Sequence, residues 1–336
     1  MKKVVSIVSV LAVALIVYFA RDELIQAFYL LEKLNLWWLI WLLPLQLLVY
    51  YSMSEAGISY LEQINQIKNI SWWTKIKIAL ELNFVNHILP SGGASGVGYG
   101  LWRLKTVGVE KTYATLTQII RLIAGYIAYV PILIICVLLS ILSDNSHYIL
   151  EIAATGIVIF SLGLVIWLGY ILTKKSRLTK ITENFVRFVN LLVRIISWGK
   201  AKQAVQEAKF KKTIIKFSDI YSQLFVNKKL LIKPFIWGIV WITGDALMFE
   251  ITFLSLGQGI NLTTIFLAYG FAGISGFIFM TPGGAGAYEA AFIFILVWCS
   301  VSGPLAASGV ILTRTILMFC TLVSGSFFYY RALHKV

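Results

Sequence analysis

Charge is scarce in this chain, and acidic charge scarcest. Only 13% of its 336 residues are charged, with 15 Asp and Glu against 29 Lys and Arg. A soluble domain has about a quarter of its residues charged, so a fully water-facing surface is excluded. Cysteine is limited to Cys136, Cys299 and Cys320, an odd set within apolar runs, which excludes a disulfide framework. The histidines, His87, His147 and His334, stand far apart, and no Cys/His spacing resembles a metal site. No metal and no cofactor is therefore expected. There is no nucleophile elbow, no phosphate loop and no paired-carboxylate motif, so no catalytic residue is expected either. Gly96-x-Gly98 followed by Gly100 comes after no strand, which removes a dinucleotide reading.

What fills the chain instead is hydrocarbon. Apolar residues make up 59% of it and mean hydropathy is +0.83, as expected of an all-α polytopic membrane protein. The basic excess is concentrated. Residues 174–233 hold 15 Lys and Arg against Glu183, Glu207 and Asp219, a net of +12, while the rest of the chain nets only +2. Positive segments stay on the cytoplasmic side, so this stretch is cytoplasmic. Anionic headgroups account for its charge, and no nucleic acid is expected as a partner. It divides the chain into an N-terminal membrane half (1–173), a basic cytoplasmic or interfacial insert (174–233) and a C-terminal membrane half (234–336).

Lys2-Lys3 precede an apolar run over 4–20 with no small-x-small cleavage site after it, which favours a first crossing over a signal peptide. A second crossing is expected at 36–53, with Trp37, Trp38, Trp41, Tyr50 and Tyr51 as an interfacial aromatic belt. A polar, cytoplasmic, partly helical connection follows over 54–75, and Lys77 and Glu81 look like a surface i,i+4 pair. Further crossings are expected at 119–142, 152–172, 235–257 and 305–330, with an interfacial helix at 184–198. That makes about six full crossings with both termini cytoplasmic.

Two stretches break this pattern: Pro90-Ser91-Gly92-Gly93-Ala94 and Pro282-Gly283-Gly284-Ala285-Gly286. Were 76–90 to cross fully, the basic insert would lie outside. Residues 76–104 therefore read as a re-entrant hairpin, and Gly92, Gly96 and Gly100 give its returning arm a small-residue packing face. Residues 263–302 either cross twice or form a second re-entrant hairpin, which would make the halves inverted repeats. Broken backbone survives at membrane depth only in protein or beside a wet cavity. Each restarted helix there offers free N–H groups and its positive dipole end to an anion.

Few charges fall within the apolar spans: Arg121, Asp245, Glu250, Glu289 and Arg314. Each costs about 2.5–3.5 kcal/mol at a helix centre. Arg121 and Arg314 suit a lipid phosphate, because guanidinium donates two parallel hydrogen bonds to it. The structural alternative pairs them with the carboxylates. Glu289 is either a dipole cap or a counter-charge or proton carrier, and Asp245 and Glu250 are secondary candidates. Asn83, Asn86 and His87 share one helical face; they line a cavity or satisfy the backbone groups freed at Pro90.

The segment Asn86-His-Ile-Leu-Pro-Ser-Gly-Gly-Ala-Ser-Gly, Arg103, Ile120-Arg121-Leu122, Thr281-Pro-Gly-Gly-Ala-Gly-Ala-Tyr-Glu289 and Arg314 together resemble the flippase-like transmembrane domain of bacterial lysylphosphatidylglycerol synthetases. An acidic residue often seen after the first paired glycines is replaced by Ala94 and Ser95. The resemblance implies an inner-membrane protein that moves or presents an anionic phospholipid or polyprenyl-phosphate-linked lipid. Its headgroup contacts would be Arg121, Arg314, Glu289, Asn86, His87 and Arg103, at the breaks formed by Pro90, Gly92, Gly93, Pro282, Gly283, Gly284 and Gly286. The chain ends soon after its last apolar run, so the soluble aminoacyl-transfer domain is expected to be absent and no enzyme activity is expected. The competing expectation is a non-transporting scaffold whose basic insert docks an envelope-synthesis enzyme.

Overall fold

The computed structural model describes residues 34–67, 70–89, 93–142, 227–279 and 281–334, with Glu32 and scattered positions between Ile152 and Tyr170. The expected crossing at 4–20, most of 152–172, the insert as far as residue 226, the helix at 184–198, and Pro90 and Gly92 lie outside the described residues. Among those residues all regular structure is helical, and four stretches are long and apolar enough to cross a membrane: Leu36–Gln63, Lys111–Leu139, Lys228–Ser255 and Gly303–Leu333.

The order is α1 (Leu36–Ile40), α2 (Leu42–Gln63), α3 (Trp72–Ile88), α4 (Ala94–Thr106), α5 (Lys111–Leu142), α6 (Ile232–Ser255), α7 (Leu262–Phe279), α8 (Ala287–Trp298) and α9 (Gly303–Leu333). A repeat is visible in the lengths. Helices α2 to α5 have 22, 17, 13 and 32 residues; α6 to α9 have 24, 18, 12 and 31. In each set a break separates the second and third helices. The third helix restarts at a glycine with positive φ, Gly93 at 90° and Gly286 at 86°. A side chain at such an angle is strained.

The first helices of the two sets run antiparallel, as inverted repeats would. Equivalent helices α2 and α6 pack along their lengths in opposite directions: Gln63 donates to the carbonyl of Leu230, Val49 meets Gly244, and Asn35 donates to the carbonyl of Ser255. Close approach elsewhere also relies on glycine. A Cβ on Gly238 would stand 2.6 Å from the Ala124 carbonyl oxygen of α5, and one on Gly325 would stand 2.6 Å from Phe84 of α3. The largest core cluster joins Tyr129 and Leu133 of α5 to the second set of helices, where Phe249, Phe253, Phe292, Leu296 and Val310 are buried.

Several expectations change. The crossing expected at 36–53 ends too early, because α2 continues to Gln63 and takes in the first part of the partly helical connection expected at 54–75. Its polar end is buried in protein rather than exposed at a surface. Ser54 and Glu55 are among its buried residues, and Glu55 meets buried Lys75 at 2.6 Å. Lys75 also meets Glu62 at 2.8 Å. Tyr50 leaves the aromatic belt: it is buried and hydrogen-bonded to Thr321 and Gln46. Trp37 and Trp41 stay exposed. Lys77 and Glu81 are not a surface pair. Glu81 is 1% exposed, while Lys77 lies over the rings of Trp73 and Phe328.

Candidate functional site

Helices α3 and α4 fold back on each other as an antiparallel hairpin, and sequence chemistry explains how its broken end is satisfied. A helix start leaves N–H groups unpaired, and Gly93, the residue before α4, has no side chain to cap them. Asn86, in the last turn of α3, does so across the break: its Oδ1 accepts from Gly96 N at 2.7 Å and from Ser95 Oγ at 3.3 Å. Asn83 donates to its own helix at Ala79 O, 2.9 Å away. Asn86 thus serves the broken backbone, while Asn83 bonds within its own helix and to Met53 Sδ at 3.2 Å. Further along, Glu81 Oε2 receives Tyr99 Oη at 2.9 Å and Arg103 Nε at 2.8 Å, so Arg103 spends its Nε on closing the hairpin. Glu81 and Tyr99 carry this closure and went unnoticed in the sequence, since no local spacing links them to Arg103.

Two of the three small residues expected on α4 do what was expected. Gly96 lies against Asn86 and Gly100 against Gln118 of α5.

The second break is fastened by Arg314 of α9. Its Nε donates to Glu289 Oε1 at 2.8 Å, its Nη2 donates to the Gly283 carbonyl at 2.6 Å, and its guanidinium lies 4.5 Å from the Tyr288 ring centre. The other oxygen of Glu289 accepts the Gly286 N–H at 2.7 Å, capping α8. Glu289 thus takes the capping role and pairs with Arg314, which is the structural alternative set out for that arginine. The two breaks also meet. His87, whose Nδ1 is 2.7 Å from Asn83 O, sits so close to Gly283 that a Cβ there would come within 2.7 Å of the ring.

Arg121 has a different fate. It stands 28 residues beyond Gly93, as Arg314 stands 28 beyond Gly286, so the two arginines are equivalent by repeat. In the first repeat, however, the position of Glu289 is taken by Gly96. Arg121 is 5% exposed, makes no ion pair among the described residues, and its Nε has no hydrogen-bond partner. Gln118, one turn earlier on the same face, is 3% exposed and its Oε1 is likewise unpartnered. Both line a cavity of about 20 Å³ with Ser54, Gly57, Thr117 and Leu104. That is room for a water, not for a phosphate headgroup.

The secondary candidates separate in the same way. Glu250 caps the turn after α6, accepting from Ile260 N at 2.9 Å. Asp245, midway along α6, accepts from Trp241 Nε1 at 3.0 Å and Tyr269 Oη at 2.8 Å. Among the described residues no group of three His, Cys, Asp or Glu side chains could hold a metal ion.

No curated protein and no solved structure matches the chain. Residues 6–325 match the family described as the lysylphosphatidylglycerol synthase TM region. A match over nearly the whole length makes this chain a member of that family.

Proposed function

We propose that this protein is a lipid translocase of the bacterial plasma membrane, moving or presenting an anionic phospholipid or a polyprenyl-phosphate-linked lipid for building the cell envelope. In this reading it is multi-pass with both termini cytoplasmic, and it performs no aminoacyl transfer itself. Both hairpins are re-entrant. At 1.5 Å per residue the 13 residues of α4 and the 12 of α8 extend about 20 Å and about 18 Å, short of a hydrocarbon core about 30 Å thick.

The observation that carries the reading is Arg121. A guanidinium more than two helical turns inside α5, buried and without a counter-ion among the described residues, is expensive to keep. Its retention makes sense if an anion completes the site during the working cycle, and a phosphate matches its fork. The resting cavity is too small for that anion, so the headgroup reaches Arg121 only when α4 moves away from α3 and α5. Gly96 and Gly100 let α4 sit close, and the Arg103–Glu81 contact and the Asn86 cap hold it there. Arg314 fastens the second break instead of offering a free cation, and His87 couples the two breaks.

One observation favours a second reading. The contacts of Arg314 to Glu289 and Gly283 are those of a fastener, as a non-transporting scaffold that docks an envelope-synthesis enzyme through the basic insert would need. Substituting Arg121→Met separates the two. As a translocase, the variant stays folded, with unchanged or higher thermal stability, and loses at least tenfold in the rate of fluorescent phosphatidylglycerol movement across reconstituted vesicles. If wild-type protein moves no anionic lipid, or R121M moves it at the wild-type rate, the translocase reading fails.

A further inference from the structure

Arg121 makes no ion pair among the described residues of the first repeat; in the second repeat the carboxylate of Asp245 makes none among them either. It lies midway along the 24-residue α6, in one of the four stretches long enough to cross a membrane. Both of its hydrogen bonds arrive at one oxygen: Oδ2 takes Trp241 Nε1 at 3.0 Å and Tyr269 Oη at 2.8 Å. Oδ1 accepts nothing among the described residues, and no cation there is within ion-pair distance of the carboxylate.

The groups around it are mostly uncharged at neutral pH. Helix α2 brings Tyr50, α7 brings Tyr269 and α8 brings Tyr288 into its electrostatic reach. Helix α5 brings Tyr129 up to Tyr269, their ring centres 6.2 Å apart. Among the described residues the cation within reach is Arg314 of α9, and its Nε and Nη2 are already committed to Glu289 and the Gly283 carbonyl. An ionised carboxylate at mid-membrane with two neutral donors and no counter-ion is stable only while water reaches it. Remove the water and the neutral acid is favoured.

We propose that Asp245 is a proton-loading site that couples lipid movement to the transmembrane proton gradient. The inference rests on the translocase reading. A proton from water on one face adds to Oδ1, forming an O–H bond and neutralising the side chain while the site is closed. It returns to water when the site opens to the opposite face. No other bond changes and no co-reactant is needed. The carboxylate belongs to the second repeat alone, because the residue the same distance before the break in the first repeat is Ser52, which bonds back to Leu48 O at 2.5 Å.

Two measurements on the full chain in vesicles test this. First, infrared difference spectra are recorded as pH is stepped. Wild type is expected to gain a protonated-carboxyl C=O band that D245N lacks and D245E shifts. Asparagine keeps an oxygen for Trp241 and Tyr269, so the fold is retained. Identical wild-type and D245N spectra overturn the proposal whether or not any lipid moves. Second, movement of fluorescent phosphatidylglycerol is timed with and without a pH difference across the vesicle wall. Wild type is expected to respond by up to about tenfold per pH unit, the limit for one coupled proton, and D245N to lose that response. A gradient response retained in D245N also overturns it. Absence of movement under every condition sinks the translocase reading, while the infrared result still decides whether Asp245 takes up the proton.

Discussion

Arg121 and Arg314 occupy equivalent places, yet what surrounds them makes opposite demands on stability. Arg314 shares a half-buried ion pair with Glu289, their side chains 18% and 16% exposed. Removing one partner of a fully buried pair costs about 3–5 kcal/mol, because the other charge is left uncompensated. With this much residual exposure Glu289→Gln is expected to cost about 2–3 kcal/mol, somewhat below that range. It also weakens the cap on α8. Combining it with Arg314→Met removes the stranded charge, so the double variant should be more stable than Glu289→Gln alone. Thermal unfolding in detergent checks the order. Were the double variant the least stable of the set, the Gly283 and Tyr288 contacts of Arg314 would outweigh its ion pair. Arg121 has no ion-pair partner to strand among the described residues, which is why R121M is expected to spare the fold.

At the scale of helices, space for a side chain sorts the glycines. Gly238 of α6 faces backbone, the Ala124 carbonyl, which cannot swing aside. Gly238→Ala must therefore push α6 off α5 and is expected to lose about 1–3 kcal/mol as overpacking. Gly98 of α4 has nothing within 4 Å of where a Cβ would stand, so Gly98→Ala is expected to gain up to about 1 kcal/mol from helix propensity alone. Equal losses for the two in thermal unfolding would show that α4 packs more tightly than it does here. The same distinction explains what could be read beforehand. The breaks, the small-residue face of α4 and the candidate charges were legible because glycine, proline and intramembrane charge carry positional meaning within a few residues. The partner of Glu81 was not. Local spacing offered Lys77, whereas folding supplied Arg103 and Tyr99 from the returning arm. The length of α2 was hidden for a related reason, since Glu55 looks like a surface residue until Lys75 is brought against it. Nor could spacing separate the two arginines, whose difference lies in Gly96 standing where Glu289 stands.

Across the whole molecule, antiparallel packing of α2 on α6 has a consequence for sidedness that cells can report. If the two repeats run in opposite directions through the membrane, the turn between α4 and α5 and the turn between α8 and α9 face opposite compartments. Glu110 and Ser302 sit in these turns, and both are exposed. Lys105 and Lys111 flank the first turn, while the second, Cys299–Ser302, has no charge. The charge rule puts the former inside. In a variant with Cys136, Cys299 and Cys320 replaced, Ser302→Cys is expected to react with a membrane-impermeant maleimide added to intact bacterial cells. Glu110→Cys should react only after the membrane is permeabilised. Labelling of both from the same side would mean that the repeats do not invert. The antiparallel α2–α6 contact would then lie in the membrane plane or beyond it, and Arg121 and Asp245 would no longer stand at matching depths in opposed halves. Opposed labelling places Arg121 and Asp245 in two half-sites that open toward different sides, the arrangement that alternating access to one lipid headgroup requires.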